Sequence, residues 1–360
     1  MARNTLAQID VDALAHNVSW VRSRTGNSRL MAVVKADAYG HRLDLCLPAL
    51  SDVDLLGVAT IEEARYLRQL GHRGAIVLME GVIHEADLAV AAELGLELTI
   101  HHAEQLRLLE RAGRAPAARL WLKLDSGMNR LGLPLSEAAA AHARLLQLEG
   151  VEQVNLVSHF ASADAEDRRL MDLQVQRFDQ AVTGLQAEHC LANSAAMLRD
   201  SSLHRDWVRV GILLYGISPL PGQTGAELGL KPVMTLSSEL MAINDVKQGE
   251  VIGYGGRFKA PQDMRIGVVA IGYGDGYPRS ATDGTPVRVA GTQCPLVGCV
   301  SMDMITVDLS ACPEARIGDP VTVWGEGLPV EEVAAHADTI PWDLVCRITR
   351  RVRYRRHALQ

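Results

Sequence analysis

The feature that most constrains this chain is a rhythm. Over roughly the first 215 residues, short apolar runs alternate with longer amphipathic ones. The runs Arg29–Val34, Leu55–Ala59, Ala75–Met79, Leu96–Ile100, Arg119–Leu124, Val154–Ser158, His189–Ala192 and Trp207–Val210 predict strands. Ile61–Leu70 and Ala103–Arg111 have helical periodicity, and Gly71, Gly95 and Gly113 stand where helices would stop. Near-continuous apolar strands belong to a parallel sheet covered on both faces. Eight of them separated by helices predict a (β/α)8 TIM barrel. An open doubly wound sheet would give the same pattern.

After Gly216 the rhythm changes. Residues 219–232 are rich in turn formers and read as a linker. Beyond them, Val233–Ala242, Met264–Ile271, Pro286–Val289, Met304–Asp308 and Pro320–Trp324 predict short strands, with a helix at Val330–His336. Asp283-Gly284 is the expected hairpin turn. The reading is an N-terminal barrel over 1–225 and a C-terminal, mostly β domain over 226–360. The two GYG runs, 253–255 and 272–274, are a weak hint of a repeat. The run 272–277 has neither the spacing nor the following helix of a dinucleotide-binding loop.

With 360 residues, 48% of them apolar, the chain can bury two cores. A net charge of -7 leaves no basic field for nucleic acid, and the Arg347–Arg356 cluster reads as a solvated or interface edge. No secretory stretch opens the sequence and no apolar run reaches about 18 residues. A soluble, cytoplasmic protein with no membrane partner is the expectation. The six cysteines lack metal-ligand spacing, so neither a disulfide framework nor a metal is expected. Tyr39, Tyr215, Tyr254, Tyr273 and Tyr277 each adjoin a glycine, a setting that favours turns and ligand contacts over regular core positions.

Chemistry in a barrel gathers where strands end. Lys35 follows the first strand. The fifth brings Lys123 and Asp125, then Gly127 and Arg130; the sixth His159; the seventh Asn193 and Ser194; the eighth Arg209 and Gly211. This ring is basic and suits a small anion. Phosphate fits it well, since Ser194 opens a helix and Gly211-Ile212 offers backbone N–H groups. Most lysines are surface residues. Lys35, however, directly follows the apolar run MAVV, where a charge is costly unless paired or neutral. A desolvated lysine can form a Schiff base with an aldehyde cofactor.

These residues resemble the alanine racemase family almost end to end. The motifs are AVVKADAYGH at 32–41, LKLDSGMNRLG at 122–132, SHFASAD at 158–164 and ANSAA at 192–196, then VRVGILLYG at 208–216, GYGDGYPR at 272–279 and SMDM at 301–304, in the family's order. The resemblance implies a cytoplasmic isomerase that interconverts L- and D-alanine, serving peptidoglycan synthesis or alanine catabolism. It implies a head-to-tail homodimer, each site joining one chain's barrel to the other's β domain, with the first ten or so residues packed on the β domain. Lys35 would carry pyridoxal 5'-phosphate. Tyr39, Ser194, Gly211 and Ile212 would bind its phosphate beside Asn193, Arg209 would face its ring nitrogen with His159 behind, and Arg130 would contact its phenolic oxygen. Lys123 matches a lysine that is often carbamylated. Tyr273, Met302 and Asp303 would come from the partner, with Met302 and Asp303 on the substrate side.

Racemisation removes a proton from one face of Cα and returns one to the other. Two opposed bases, Lys35 and Tyr273, do this more simply than one. A tyrosine, with a reference pKa of about 10, needs cationic or hydrogen-bonding help. The chain departs from the family at Arg42, where glycine is usual, and at Cys299, where arginine is usual. Ser301 replaces a residue that is cysteine in some members, and Arg350 falls where some place a phosphate-binding tyrosine. Alternatives are a racemase of serine or a basic amino acid, a decarboxylase of the same fold type, and a non-enzymatic pyridoxal-phosphate carrier. A carrier is a lone barrel and needs no second base.

Overall fold

The structure is a computed structural model that describes residues 4–357. Eight parallel strands close a barrel: Arg29–Val33, Leu55–Val58, Ile76–Leu78, Leu96–Ile100, Arg119–Asp125, Gln153–Val157, His189–Cys190 and Trp207–Val210. The fourth pairs with the fifth and the eighth with the first, so no edge is left open. All eight expected strands are present, within two residues at each end, and the open-sheet reading is excluded. Among the described residues no helix is long and apolar enough to cross a membrane.

Strand side chains alternate, so a closed barrel stacks its inward residues in layers. One layer is a cluster of Met31, Leu55, Val77, Trp121, Val157, Cys190 and Trp207. Trp121 and Trp207 meet edge to face, with ring centroids 5.2 Å apart. Buried Glu97 accepts from Trp121 Nε1 at 2.6 Å and pairs through both oxygens with Arg119, at 2.6 and 3.0 Å. Arg119 in turn lies 4.9 Å from the Trp207 ring centre. Lys123 and Arg209 stand two residues beyond the tryptophans, on the same inward face and one layer nearer the strand ends.

The β domain is organised by Met234–Val246, which pairs with Leu6–Ile9, Met264–Val269 and Pro320–Trp324. Leu6–Ile9, near the start of the chain, therefore belongs to the β domain. Its other neighbour is Arg353–Arg356, the exposed edge strand formed by the arginine-rich end. The hairpin turn is not at Asp283-Gly284. Pro286–Val289 turns back onto Thr292–Pro295 through Ala290-Gly291, both at positive φ (46° and 85°), as a two-residue hairpin requires. The Asp283 carboxylate instead accepts from Gly298 N at 2.7 Å, bracing a neighbouring loop. Tyr215 and Tyr277 also differ from expectation: both are buried core residues despite their adjacent glycines.

The most strained backbone follows the first barrel strand. Ala36, Asp37, Ala38 and Tyr39 have φ between 53° and 56°, one turn of left-handed helix built without glycine. Such a conformation costs about 1–2 kcal/mol per residue, so the surroundings must enforce it. The Glu63 carboxylate accepts from Ala36 N (2.6 Å) and Ala59 N (2.8 Å), and Asp37 Oδ1 accepts from Leu43 N (2.7 Å). Tyr354 Oη donates to Gly40 O at 2.9 Å, tying the turn to the β domain. A Cβ on Gly40 would lie 2.0 Å from Val345 O, so only glycine lets that helix approach. Arg42 extends the strain at φ 68°, ψ 107°, a conformation that favours glycine. Its guanidinium lies 3.5 Å from Asp37 and 3.2 Å from Asp44, with 43% of the side chain exposed.

Two outcomes follow from this packing. Glu97→Ala leaves Arg119 and the Trp121 N–H without their acceptor. It should lower stability by about 2–4 kcal/mol, read by urea unfolding followed in tryptophan fluorescence. Arg42→Gly exchanges partly exposed ion pairs, worth about 0–1 kcal/mol, for relief of about 1–2 kcal/mol of strain. It should raise the melting temperature; a fall would show that the ion pairs outweigh the strain.

Candidate active site

The strained turn delivers Lys35 to the C-terminal mouth of the barrel. Lys35 is half-buried, directly beyond a strand whose last four residues are buried. It lines a cleft of about 570 Å3, a size suited to a small molecule. Tyr39, Arg130, His159, Asn193, Ser194, Arg209, Gly211 and Ile212 line the same cleft. Lys123 lines a second volume in the barrel interior, whose walls share Lys35, Arg130, His159 and Arg209 with the cleft.

Each polar residue is held for a local reason. Asn193 caps the helix Ser194–Arg199, its Oδ1 accepting from Ala196 N at 2.9 Å. That helix sets Ser194 Oγ to accept from Gly211 N at 3.1 Å. A Cβ on Gly211 would come within 2.6 Å of Tyr39 Oη, so glycine is what admits the tyrosine hydroxyl there. Asp125 Oδ1 gathers the N–H groups of Gly127, Met128 and Asn129 at 2.9–3.1 Å, shaping the loop that carries Arg130.

Buried Arg209 has no carboxylate partner among the described residues. Instead its Nη2 donates to His159 Nδ1 at 2.7 Å and to Ser158 O at 3.3 Å. His159 Nδ1 is therefore an acceptor, and the ring is neutral with its proton on Nε2. Burial, then the charges of Arg209, Lys123, Arg130 and Lys35, push its pKa down to about 2. Lys123 falls to about 8, through burial first and then Arg209, Arg130 and Lys35. Tyr39 is raised to about 12, chiefly by burial. At neutral pH the cleft therefore holds a protonated phenol, a neutral imidazole and a concentration of positive charge.

Tyr273, Met302 and Asp303 do not line this cleft. They sit together on the β domain, where Tyr273 N donates to Ser301 O (3.1 Å) and Gly274 N to Met302 O (2.9 Å). A Cβ on Gly272 would lie 2.3 Å from Ser301 O, so the two loops are pressed together. Arg351 bridges them, 3.2 Å from buried Asp275 and 2.6 Å from Asp303. Tyr273 is 40% exposed and Met302 51%. Sequence reasoning missed Arg351, Asp275 and Glu63, and also Ile340, Trp342 and Cys346, which wall the cleft from the β domain. Asp275, inside the glycine-rich run, and Arg351, inside the Arg347–Arg356 cluster read as a solvated or interface edge, stood in segments already marked. Arg350, Cys299 and Ser301 are not among the cleft-lining residues. Among the described residues no group of three His, Cys, Asp or Glu side chains could hold a metal ion.

Comparison with known proteins agrees with this architecture. Residues 9–219 match the family described as alanine racemase, N-terminal domain, and residues 233–356 the family described as alanine racemase, C-terminal domain. The chain is 49% identical over 348 residues to an alanine racemase of Nitrosococcus oceani, covering 96% of this chain and 97% of that one. It is similar to the biosynthetic alanine racemase of Pseudomonas aeruginosa at TM-score 0.96 and 44% identity, over 99% of this chain and 100% of that one. It is also similar, at TM-score 0.88 and 27% identity, to the Bartonella henselae alanine racemase with covalently bound pyridoxal phosphate, over 98% of this chain and 99% of that one. Two domain matches and near full-length identity place this chain in the alanine racemase family.

Proposed function

We propose that the protein interconverts L- and D-alanine, with pyridoxal phosphate seated in the barrel cleft and each site completed by a second copy of the chain. The observation that carries this is the separation of two potential bases. The barrel presents an amine, Lys35, at its mouth. Tyr39, the tyrosine of the same cleft, is held protonated by its raised pKa and is a donor to anions, not a base. Tyr273, the tyrosine that the family resemblance assigns to the partner, stands exposed on the other domain.

The donor set fits the cofactor. Lys35 supplies the amine for the aldehyde; Tyr39, Ser194 and the Gly211-Ile212 backbone supply neutral donors for the phosphate, with Asn193 fixing the helix that presents Ser194. Pyridoxal phosphate, when bound, supplies an electron sink that makes the Cα–H of an attached amino acid acidic. Arg209 meets that sink with fixed positive charge and no transferable proton, which disfavours side reactions such as transamination. His159 orients Arg209 by accepting from it. Arg130 offers a cation to the phenolic oxygen and the substrate carboxylate. Lys35 exchanges the Cα proton on one face and Tyr273 of a second copy on the other. Met302 and Asp303, braced through Arg351, stand beside Tyr273 on the substrate side. No specific observation favours serine, a basic amino acid, decarboxylation or a carrier role.

Lys123 is suited to carbamylation. Its neutral amine attacks carbon dioxide, forming the N–C bond and releasing a proton, and the carbamate is then an anion beside Arg130 and Arg209. With the pKa at about 8, about half of the amine is neutral at pH 8, against under about 1% for an unshifted lysine.

The primary test is chiral chromatography of L-alanine incubated with purified protein and pyridoxal phosphate. Conversion towards an equal mixture is expected, and no conversion with cofactor visibly bound would sink the proposal. Tyr273→Phe should lose about 10²–10⁴-fold in rate while keeping the cofactor's colour; Lys35→Ala should lose the covalent cofactor absorbance itself. For Lys123, native mass measurement should find one added carbon dioxide at pH 8 with bicarbonate. At pH 6 the amine is protonated and the addition should be lost. Absence of the addition at pH 8 would leave Lys123 a plain cation.

A further inference from the structure

The helix Arg169–Val182 buries Met171, Gln174, Phe178 and Val182, a stripe at helical spacing. One of the four is polar. Gln174 has no exposed surface and lines neither the cleft nor the volume in the barrel interior. A glutamine on such a stripe is costly unless its amide is partnered. Here both N–H bonds and the oxygen are partnered. Nε2 donates to His159 O at 3.0 Å and to Ser126 Oγ at 3.2 Å, and Oε1 accepts from Ala161 N at 2.9 Å.

The neighbours fix the direction of every bond. His159 O can only accept and Ala161 N can only donate, so the amide has one orientation. Ser158 Oγ gives its single hydrogen to Leu124 O at 2.9 Å. The 2.9 Å bond between the two serine hydroxyls is therefore donated by Ser126. The result is a one-way chain from Gln174 through Ser126 and Ser158 to Leu124, and both serines are buried. Bonds in such a chain polarise one another, so a group that only accepts cannot replace the amide at its head. The chain ties together the segments that carry the site. Leu124 and Ser126 lie between Lys123 and Arg130, and Ser158, His159 and Ala161 follow the sixth barrel strand. Arg209 has no carboxylate partner among the described residues, and its Nη2 is aimed by Ser158 O and His159 Nδ1. Both acceptors belong to the segment that Gln174 holds.

We infer that Gln174 is a positioning residue for the cofactor's electron sink. Directly, and through Ser126, it holds residues 158–161 so that Ser158 and His159 keep Arg209 on the ring nitrogen, a reading that rests on the cofactor seating proposed above. A misplacement of about 1 Å is enough to disturb a site of this kind. With Arg209 displaced, water reaches the ring nitrogen and can protonate it. A protonated ring is a stronger sink and favours transamination. In that side reaction the amino group of alanine passes to the cofactor, whose aldehyde carbon is reduced to CH2–NH2. Alanine is oxidised to pyruvate, and water exchanges the one oxygen between them.

Gln174→Met fills the same space without hydrogen bonds. Gln174→Glu keeps the acceptor for Ala161 N and loses both donors. In each holoenzyme the absorbance band of the bound cofactor should move, and pyruvate formed per racemisation turnover should rise about tenfold. Crystals of the variant holoenzymes should show the Arg209 guanidinium moved off its bond to His159. A glutamine that only supports the fold would lower the urea midpoint and leave the band, the pyruvate ratio and Arg209 unchanged; that result overturns the inference. Should neither variant fold, Ser126→Ala cuts the chain to Ser158 while sparing the bonds to His159 O and Ala161 N. It should raise the pyruvate ratio by a smaller factor, about threefold, and no rise overturns the inference. If the unsubstituted protein holds the cofactor but does not racemise alanine, the catalytic reading fails. The cofactor band and the position of Arg209 in the variants then still decide the role of Gln174.

Discussion

The structure depends on a geometric constraint: a closed eight-stranded barrel must fill its own interior, and strand side chains alternate with a period of two. Trp121 and Trp207 fill one layer, with Glu97 and Arg119 locked against them. Whatever lies two residues further along those two strands must face inward, one layer higher. Those residues are Lys123 and Arg209. The cationic character of the site is thus a consequence of register. Shifting either strand by one residue would turn its cation out among the helices. The neutral state of His159 and the lowered pKa of Lys123 follow from the same enclosure.

The chain also divides its chemistry between two kinds of support. The barrel supplies groups with restricted proton traffic: an arginine that stays charged, an imidazole that stays neutral, a phenol that stays protonated. In the function proposed above, proton exchange falls to the lysine on a strained turn and to a tyrosine on the other domain. A rigid electrostatic frame with few mobile protons is a sound basis for reversible chemistry at one carbon, because it offers few alternative fates to the substrate.

Much of this was legible in the sequence. Barrel strands buried on both faces are written as continuous apolar runs, so all eight could be found. All nine expected cofactor-site residues reach one cleft, because strand ends in a barrel converge whatever their separation in sequence. The rest was hidden for physical reasons. Arg353–Arg356 is a strand made almost wholly of charge, tolerable only at an exposed edge. The hairpin used Ala290-Gly291, while Asp283-Gly284 carried the stronger turn signal and served a loop. The left-handed turn is spelled Ala-Asp-Ala-Tyr, ordinary residues with no local reason for φ near 55°. Beside the local Asp37–Leu43 bond, contacts distant in sequence, from Glu63, Val345 and Tyr354, hold it in place.

The pairing of Leu6–Ile9 between Met234–Val246 and Arg353–Arg356 has a consequence for biosynthesis. Leu6–Ile9 is held on one side by a segment made more than 220 residues later and on the other by one made more than 340 residues later. Its outer edge cannot be covered until Arg353–Arg356 has left the ribosome. The barrel lies between these partners in sequence and can close while the chain is still growing, but the sheet that seals the molecule cannot. Completion of this sheet thereby waits on residues 353–356, and a product terminated before them would expose an unpaired strand edge, a mark that quality-control proteins can recognise.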